Sequence, residues 1–137
     1  MNQLILNFKE KVLFNQEDFI ISNSNVKAYE QVISWPKWGG GSYANFLFLQ
    51  GEEGCGKTHL ANIFAHKTKA KFILENDLLN LPIDSIVSKF DTAFIIEDIE
   101  EKLYLEERIF HLFNLILAKQ KYLLITSKFL PQKLDLE

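Results

Sequence analysis

Four short apolar runs punctuate the chain, and each stops at a glycine, an acid or a hydroxyl residue. In 45–50, Phe46, Leu47, Phe48 and Leu49 follow one another without a polar break before Gly51. An unbroken run of that length predicts a strand buried on both faces, as in a parallel sheet. Runs 71–74, 93–97 and 121–126 read the same way. Between them the period lengthens to that of a helix. In 57–67, Leu60, Ala61, Phe64 and Ala65 share one face, and 84–89 predicts a shorter helix. The widest apolar stripe is in 106–119, through Ile109, Phe110, Leu112, Phe113, Ile116 and Leu117. Upstream, 24–33 predicts a helix capped by Ser24 or Asn25. Pro36 and glycines 39–41 then make 35–42 a loop. Strands alternating with helices predict a parallel α/β sheet covered on both sides.

Composition narrows the class. The 137 residues suffice for one domain with one core, and 47% of them are apolar, including twelve Phe. No apolar run approaches the roughly 18 residues that span a bilayer. The first ten residues lack a basic region followed by a long apolar stretch, so no secretory signal is expected. Cys55 is the single cysteine, which excludes an internal disulfide. These features together predict a cytoplasmic protein. The net charge of −3 argues against independent, sequence-specific DNA binding, which usually needs a basic face. His59, His66 and His111 show no metal-site spacing.

The chemistry concentrates at 51–58. Gly51, Gly54, Gly56, Lys57 and Thr58 satisfy G-x-x-x-x-G-K-[ST] without a gap. Glycines let backbone N–H groups turn inward around a phosphate, and the following helix adds its positive end. Lys57 would reach the β- and γ-phosphates, and the Thr58 hydroxyl would serve Mg²⁺. The pattern sits between a predicted buried strand and a predicted helix, as that chemistry requires. A glycine-rich surface turn is the bland alternative. Cys55 reads as a small filler of this loop, or as a thiol activated by the helix terminus.

A second cluster ends the run 93–97. Glu97 and Asp98 at a strand end beside a phosphate loop can hold Mg²⁺ through water and orient an attacking water. Asp98 is short for the second role, which suits at most a slow ATPase. Solvated strand-end acids, with Asp98 capping the next segment, are the alternative. Thr126, ending the fourth run, is a candidate γ-phosphate sensor or a plain strand end.

These residues carry a resemblance that covers nearly the whole chain. Gly54, Cys55, Gly56, Lys57, Thr58, His59, Leu60 and Ala61 resemble the extended phosphate loop of the DnaA-related AAA+ ATPases. Residues 18–25 with Ala28 resemble that family's segment against the adenine, which implies a nucleotide contact at Asn25. The Trp35-Pro36 element, the helix with Glu106, Glu107, Phe110, His111, Phe113 and Asn114, and the segment 124–127 are similar too. The match is nearest to the Hda type of regulator in its alphaproteobacterial form. Gln3, Leu4, Leu6 and Phe8 resemble the short peptide by which such regulators bind the DNA polymerase sliding clamp. An edge strand is the alternative for that alternating pattern.

The resemblance implies a three-layer α/β/α AAA+ fold that binds ATP or ADP with Mg²⁺. It divides the chain into a clamp-binding peptide, 1–10, and a partial AAA+ domain, 11–137. It implies the sliding clamp and DnaA as partners, with a homo-oligomer or a complementing C-terminal fragment as further candidates and no membrane. The family continues beyond 137 with a fifth strand, an arginine finger and a helical lid. The single arginine, Arg108, lies on the helix after the acids and matches no finger. Three functional readings follow: an Hda-like regulator, a stand-alone or helicase-loader-like ATPase, and a nucleotide-binding remnant without catalysis.

Overall fold

A computed structural model describes residues 19–22, 25–38, 45–52 and 56–129. Gln3, Leu4, Leu6, Phe8, Gly54 and Cys55 lie outside the described residues. Five strands form one sheet: β1 (Phe19–Ser22), β2 (Phe46–Gln50), β3 (Lys71–Phe72), β4 (Ala93–Ile96) and β5 (Tyr122–Ser127). Their spatial order is β1-β2-β5-β4-β3, and every neighbouring pair is parallel. Parallel neighbours need crossover connections, and helices supply them. These are α1 (Asn25–Ser34), α2 (Lys57–Thr68), α3 (Glu75–Asn80), α4 (Ile83–Ile86) and α5 (Glu106–Ala118), with a 3₁₀ segment at Ile99–Leu105.

Strand alternation builds two cores from one sheet, because successive side chains point to opposite faces. Phe46, Phe48, Phe94, Ile96, Leu123 and Ile125 pack with Ile109, Leu112, Phe113 and Ile116 of α5, and with Leu78, Ile83 and Ile86. Leu47, Leu49, Ile95 and Leu124 pack on the other face with Ala28 and Val32 of α1 and Leu60, Ala61 and Phe64 of α2. The three-layer α/β/α arrangement predicted from the runs is therefore the fold. No helix among the described residues is long and apolar enough to cross a membrane.

The structure adds and trims elements. Residues 19–22, read from sequence as a segment preceding the first strand, form a strand paired with β2 from Phe19↔Phe46 to Ser22↔Leu49. The run 71–74 yields only two strand residues. Leu74 leaves the sheet, its N–H held by the Asp77 carboxylate at 3.0 Å, and its side chain is exposed at the start of α3. That helix carries two Asn and an Asp, poor helix formers that hide it in the sequence. The helix predicted at 84–89 is a single turn after Pro82, since Ser88 and Phe90 already form a turn. The loop 35–42 is not all surface. Trp38 is fully buried and stands 5.5 Å from Phe64 and 5.8 Å from Tyr122, ring centroid to centroid. A cis peptide joins Trp35 to Pro36.

Candidate functional site

The order of the strands decides where the polar residues meet. The chain leaves β2, runs to the far edge as β3, returns through β4, and inserts β5 between β4 and β2. Ligands of open parallel sheets bind at the carboxyl ends, where such a reversal opens a crevice. At those ends this chain places Gly51, Glu97 with Asp98, and Thr126 with Ser127 on three adjacent strands.

At the end of β2 the backbone turns into α2. Gly51 N–H donates to the Ser127 carbonyl at 3.0 Å, and the Gln50 amide donates to the Lys128 carbonyl at 2.9 Å, so the strand end is tied to β5. Gly56 enters the helix with φ +99°, in the left-handed region that favours glycine. A Cβ built there would meet nothing within 4 Å, so the backbone borders open space. The Leu60 N–H bonds the Gly56 carbonyl at 3.0 Å and closes the first helical turn. The Lys57 ammonium donates to the carbonyl of Gly51 and, at 3.2 Å, to that of Glu52. It has no carboxylate partner among the described residues. Thr58 and His59 lie exposed on the first turn of α2. Asn25 is the first residue of α1, directly after the carboxyl end of β1.

The acidic end is built differently. Asp98 has φ 53° and ψ 55°, a left-handed conformation that a non-glycine residue adopts at a cost of about 1 kcal/mol or more. Four bonds hold the turn among the described residues, one of them from the Glu101 N–H to the Asp98 carbonyl at 3.0 Å. The Asp98 N–H donates to the Thr126 hydroxyl at 2.9 Å. The Lys102 ammonium donates to the Glu97 carbonyl at 2.7 Å and, more weakly, to the Asp98 carbonyl at 3.5 Å. The carboxylates of Glu97 and Asp98, both half-buried, have no hydrogen-bond or ion-pair partner among the described residues. Asp98 occupies the cap position of the 3₁₀ segment, yet its side chain makes no capping bond.

Among the described residues no group of three or more His, Cys, Asp or Glu could hold a metal ion unaided. Two unpaired carboxylates and an exposed hydroxyl are a donor set for Mg²⁺, which is usually bound by one or two carboxylates together with phosphate and water oxygens. The chemistry of the donors therefore fits a cation delivered with a phosphate ligand.

Sequence reasoning singled out Glu97, Asp98 and Thr126, and the structure brings them together on adjacent strands. It missed Lys102, whose partners are backbone carbonyls that no motif encodes. It also left Arg108 without a role. The Arg108 guanidinium donates to the carbonyls of Leu78 and Leu81, where α3 ends and the chain turns toward α4. Glu106 opens α5 buried, with one carboxyl oxygen unpartnered among the described residues. Burial, with the neighbouring Glu107 charge, raises its carboxyl pKa above the ordinary 4.5.

Comparison with known proteins bears on this geometry. The sequence profile of the bacterial DnaA ATPase domain matches residues 8–94. The chain is 27% identical over 154 residues to the chromosomal replication initiator protein DnaA of Buchnera aphidicola, covering 98% of the chain and 34% of that protein. It is 31% identical over 151 residues to DnaA of Borreliella burgdorferi, covering 93% of the chain and 31% of that protein. The chain thus spans about a third of the length of the curated relatives it matches. Its fold is similar to that of a replication initiator DnaA bound to AMPPCP and single-stranded DNA. That similarity has a TM-score of 0.59 and 28% identity, over 87% of this chain and 43% of the other.

Proposed function

Because the chain belongs to the family of bacterial DnaA ATPase domains, we propose that it is an ATP- or ADP-binding, DnaA-like regulator of chromosomal replication initiation. One observation carries the reading: among the described residues, a lysine ammonium bonded only to backbone carbonyls at the end of β2 and two carboxylates without partners at the end of β4 flank the polar end of β5. A phosphate chain between them would meet a cation on one side and metal-binding acids on the other. The similar initiator that holds AMPPCP, an ATP analogue, supports a nucleotide as the ligand.

In this reading Gly51, Gly54, Cys55 and Gly56 supply the backbone cradle, and Lys57 turns from the Gly51 and Glu52 carbonyls to the phosphates. Thr58 and Glu97 serve Mg²⁺, Glu97 through water, and His59 borders the loop. Asp98 orients a water, and Thr126 reports the γ-phosphate through its bond to the Asp98 N–H. Asn25 contacts the base. Mg²⁺ would neutralise phosphate charge. The short Asp98 side chain favours slow hydrolysis.

The finer reading is an Hda-like regulator that docks on the sliding clamp through Gln3, Leu4, Leu6 and Phe8 and acts on DnaA. Its support is the likeness of Gln3, Leu4, Leu6 and Phe8 to the short clamp-binding peptide, with Gln3 as the polar contact and the others as apolar anchors. The test is a binding titration of the 137-residue protein against the sliding clamp, beside a variant carrying Gln3→Ala, Leu4→Ala and Phe8→Ala. Saturable binding lost in the variant is expected. No binding, or equal binding by both, would leave the coarser DnaA-like nucleotide-binding domain.

A further inference from the structure

We propose that Lys102 is a positioning residue that fixes the turn at the end of β4 and so keeps both acidic side chains free for a metal ion. The inference rests on the nucleotide reading above, and it starts from where the ammonium goes. A lysine four residues after Asp98 and five after Glu97 could neutralise either carboxylate. Instead its Nζ bonds their main-chain carbonyls, at 2.7 Å for Glu97 and 3.5 Å for Asp98.

Two consequences follow. The cation offsets the partial negative charge of the strand-end carbonyls, which face the carboxyl end of a fully parallel sheet. The left-handed Asp98 is also held from both sides, its N–H by Thr126 on β5 and its carbonyl side by Lys102 from the 3₁₀ segment. Without the lysine, Asp98 keeps the Thr126 bond at its N–H and the Glu101 N–H bond at its carbonyl, but the Glu97 carbonyl loses its cation. The carboxylates could then rotate out of register with the phosphate loop. Partners one layer out from a metal's ligands commonly control its affinity in this way.

The test uses the full chain with Lys102→Met and Lys102→Arg and reads two quantities. The first is amide hydrogen exchange at Glu97–Asp98 in nucleotide-free protein. The second is ATP affinity with Mg²⁺ against the same titration in EDTA. In Lys102→Met the Asp98 amide exchanges faster, the gain in affinity from Mg²⁺ falls about 10-fold, and the EDTA affinity is unchanged. Lys102→Arg, which keeps the charge and the donors, restores most of both. Unchanged exchange with an intact Mg²⁺ gain in Lys102→Met overturns the proposal. Equal losses in Mg²⁺ and EDTA also overturn it, because they mark a general fold defect. If the wild-type chain binds no ATP in either buffer, the nucleotide reading fails and the metal half of this inference fails with it. The exchange rates still decide whether Lys102 holds the turn.

Discussion

Two strand ends in this molecule use the same device for different purposes. After β2 a lysine reaches back five and six residues to the carbonyls of Glu52 and Gly51, and after β4 a lysine reaches back four and five to those of Asp98 and Glu97. The first turn leads into Gly56 at φ +99°, beside open space, and among the described residues its ammonium is held only by neutral carbonyls. Both turns are tied to β5, the first by the Gly51 N–H to the Ser127 carbonyl and the second by the Asp98 N–H to the Thr126 hydroxyl. In the proposed reading Lys57 leaves its carbonyls for a phosphate, whereas Lys102 keeps its own.

The largest effect separates these roles at Lys57. Replacing Lys57 by Met removes a charge-assisted contact to phosphate, and ATP affinity should fall roughly 10- to 100-fold by calorimetric titration. Stability in urea should change by about 1 kcal/mol or less, since the carbonyls it loses stay near the surface and can take water instead. A stability loss larger than the binding loss would show that Lys57 is structural.

Thr126→Val attacks the rigid turn instead. It leaves the part-buried Asp98 N–H without an acceptor, which should cost about 1–3 kcal/mol in urea denaturation, whereas Thr126→Ser should cost much less. Equal losses for Val and Ser would mean that packing, and not the hydroxyl, holds the turn.

The smallest effect concerns the buried carboxyl that opens α5. The Glu106 pKa is raised in the folded state, so the folded protein holds that proton more tightly than the unfolded chain does. The stabilisation is fully present below the ordinary value of 4.5 and is lost as pH rises through the folded value. Glu106→Gln should therefore gain stability relative to wild type on going from about pH 4 to about pH 7 in paired thermal melts. A constant difference across that range would show that Glu106 titrates normally.

What could be read from the sequence was local. The spacing of Gly51, Gly56, Lys57 and Thr58 names a turn, a cradle and a cation within eight residues. The apolar runs at 46–49 and 93–96 announce strands buried on both faces. The missing parts depend on distant partners. Thr126 and Asp98 are 28 residues apart, and Arg108 lies 27 to 30 residues from the carbonyls it caps. Trp38, set among proline and glycines, reads as surface until Phe64 and Tyr122 are folded around it. Strand β1 is four residues long and preceded by an acid, too short for a periodic signal. Lys102 follows the acids closely, but a lysine on a charged segment looks like solvated surface until its carbonyl partners are seen.

The central claim is that a phosphate ligand and a divalent cation meet between the ends of β2 and β4. Calorimetric titration of the wild-type chain with ATP, once with Mg²⁺ and once with EDTA, tests it most directly. Saturable binding that tightens about 10-fold or more with Mg²⁺ is the predicted result. Binding indifferent to Mg²⁺, or no binding at all, would contradict the account.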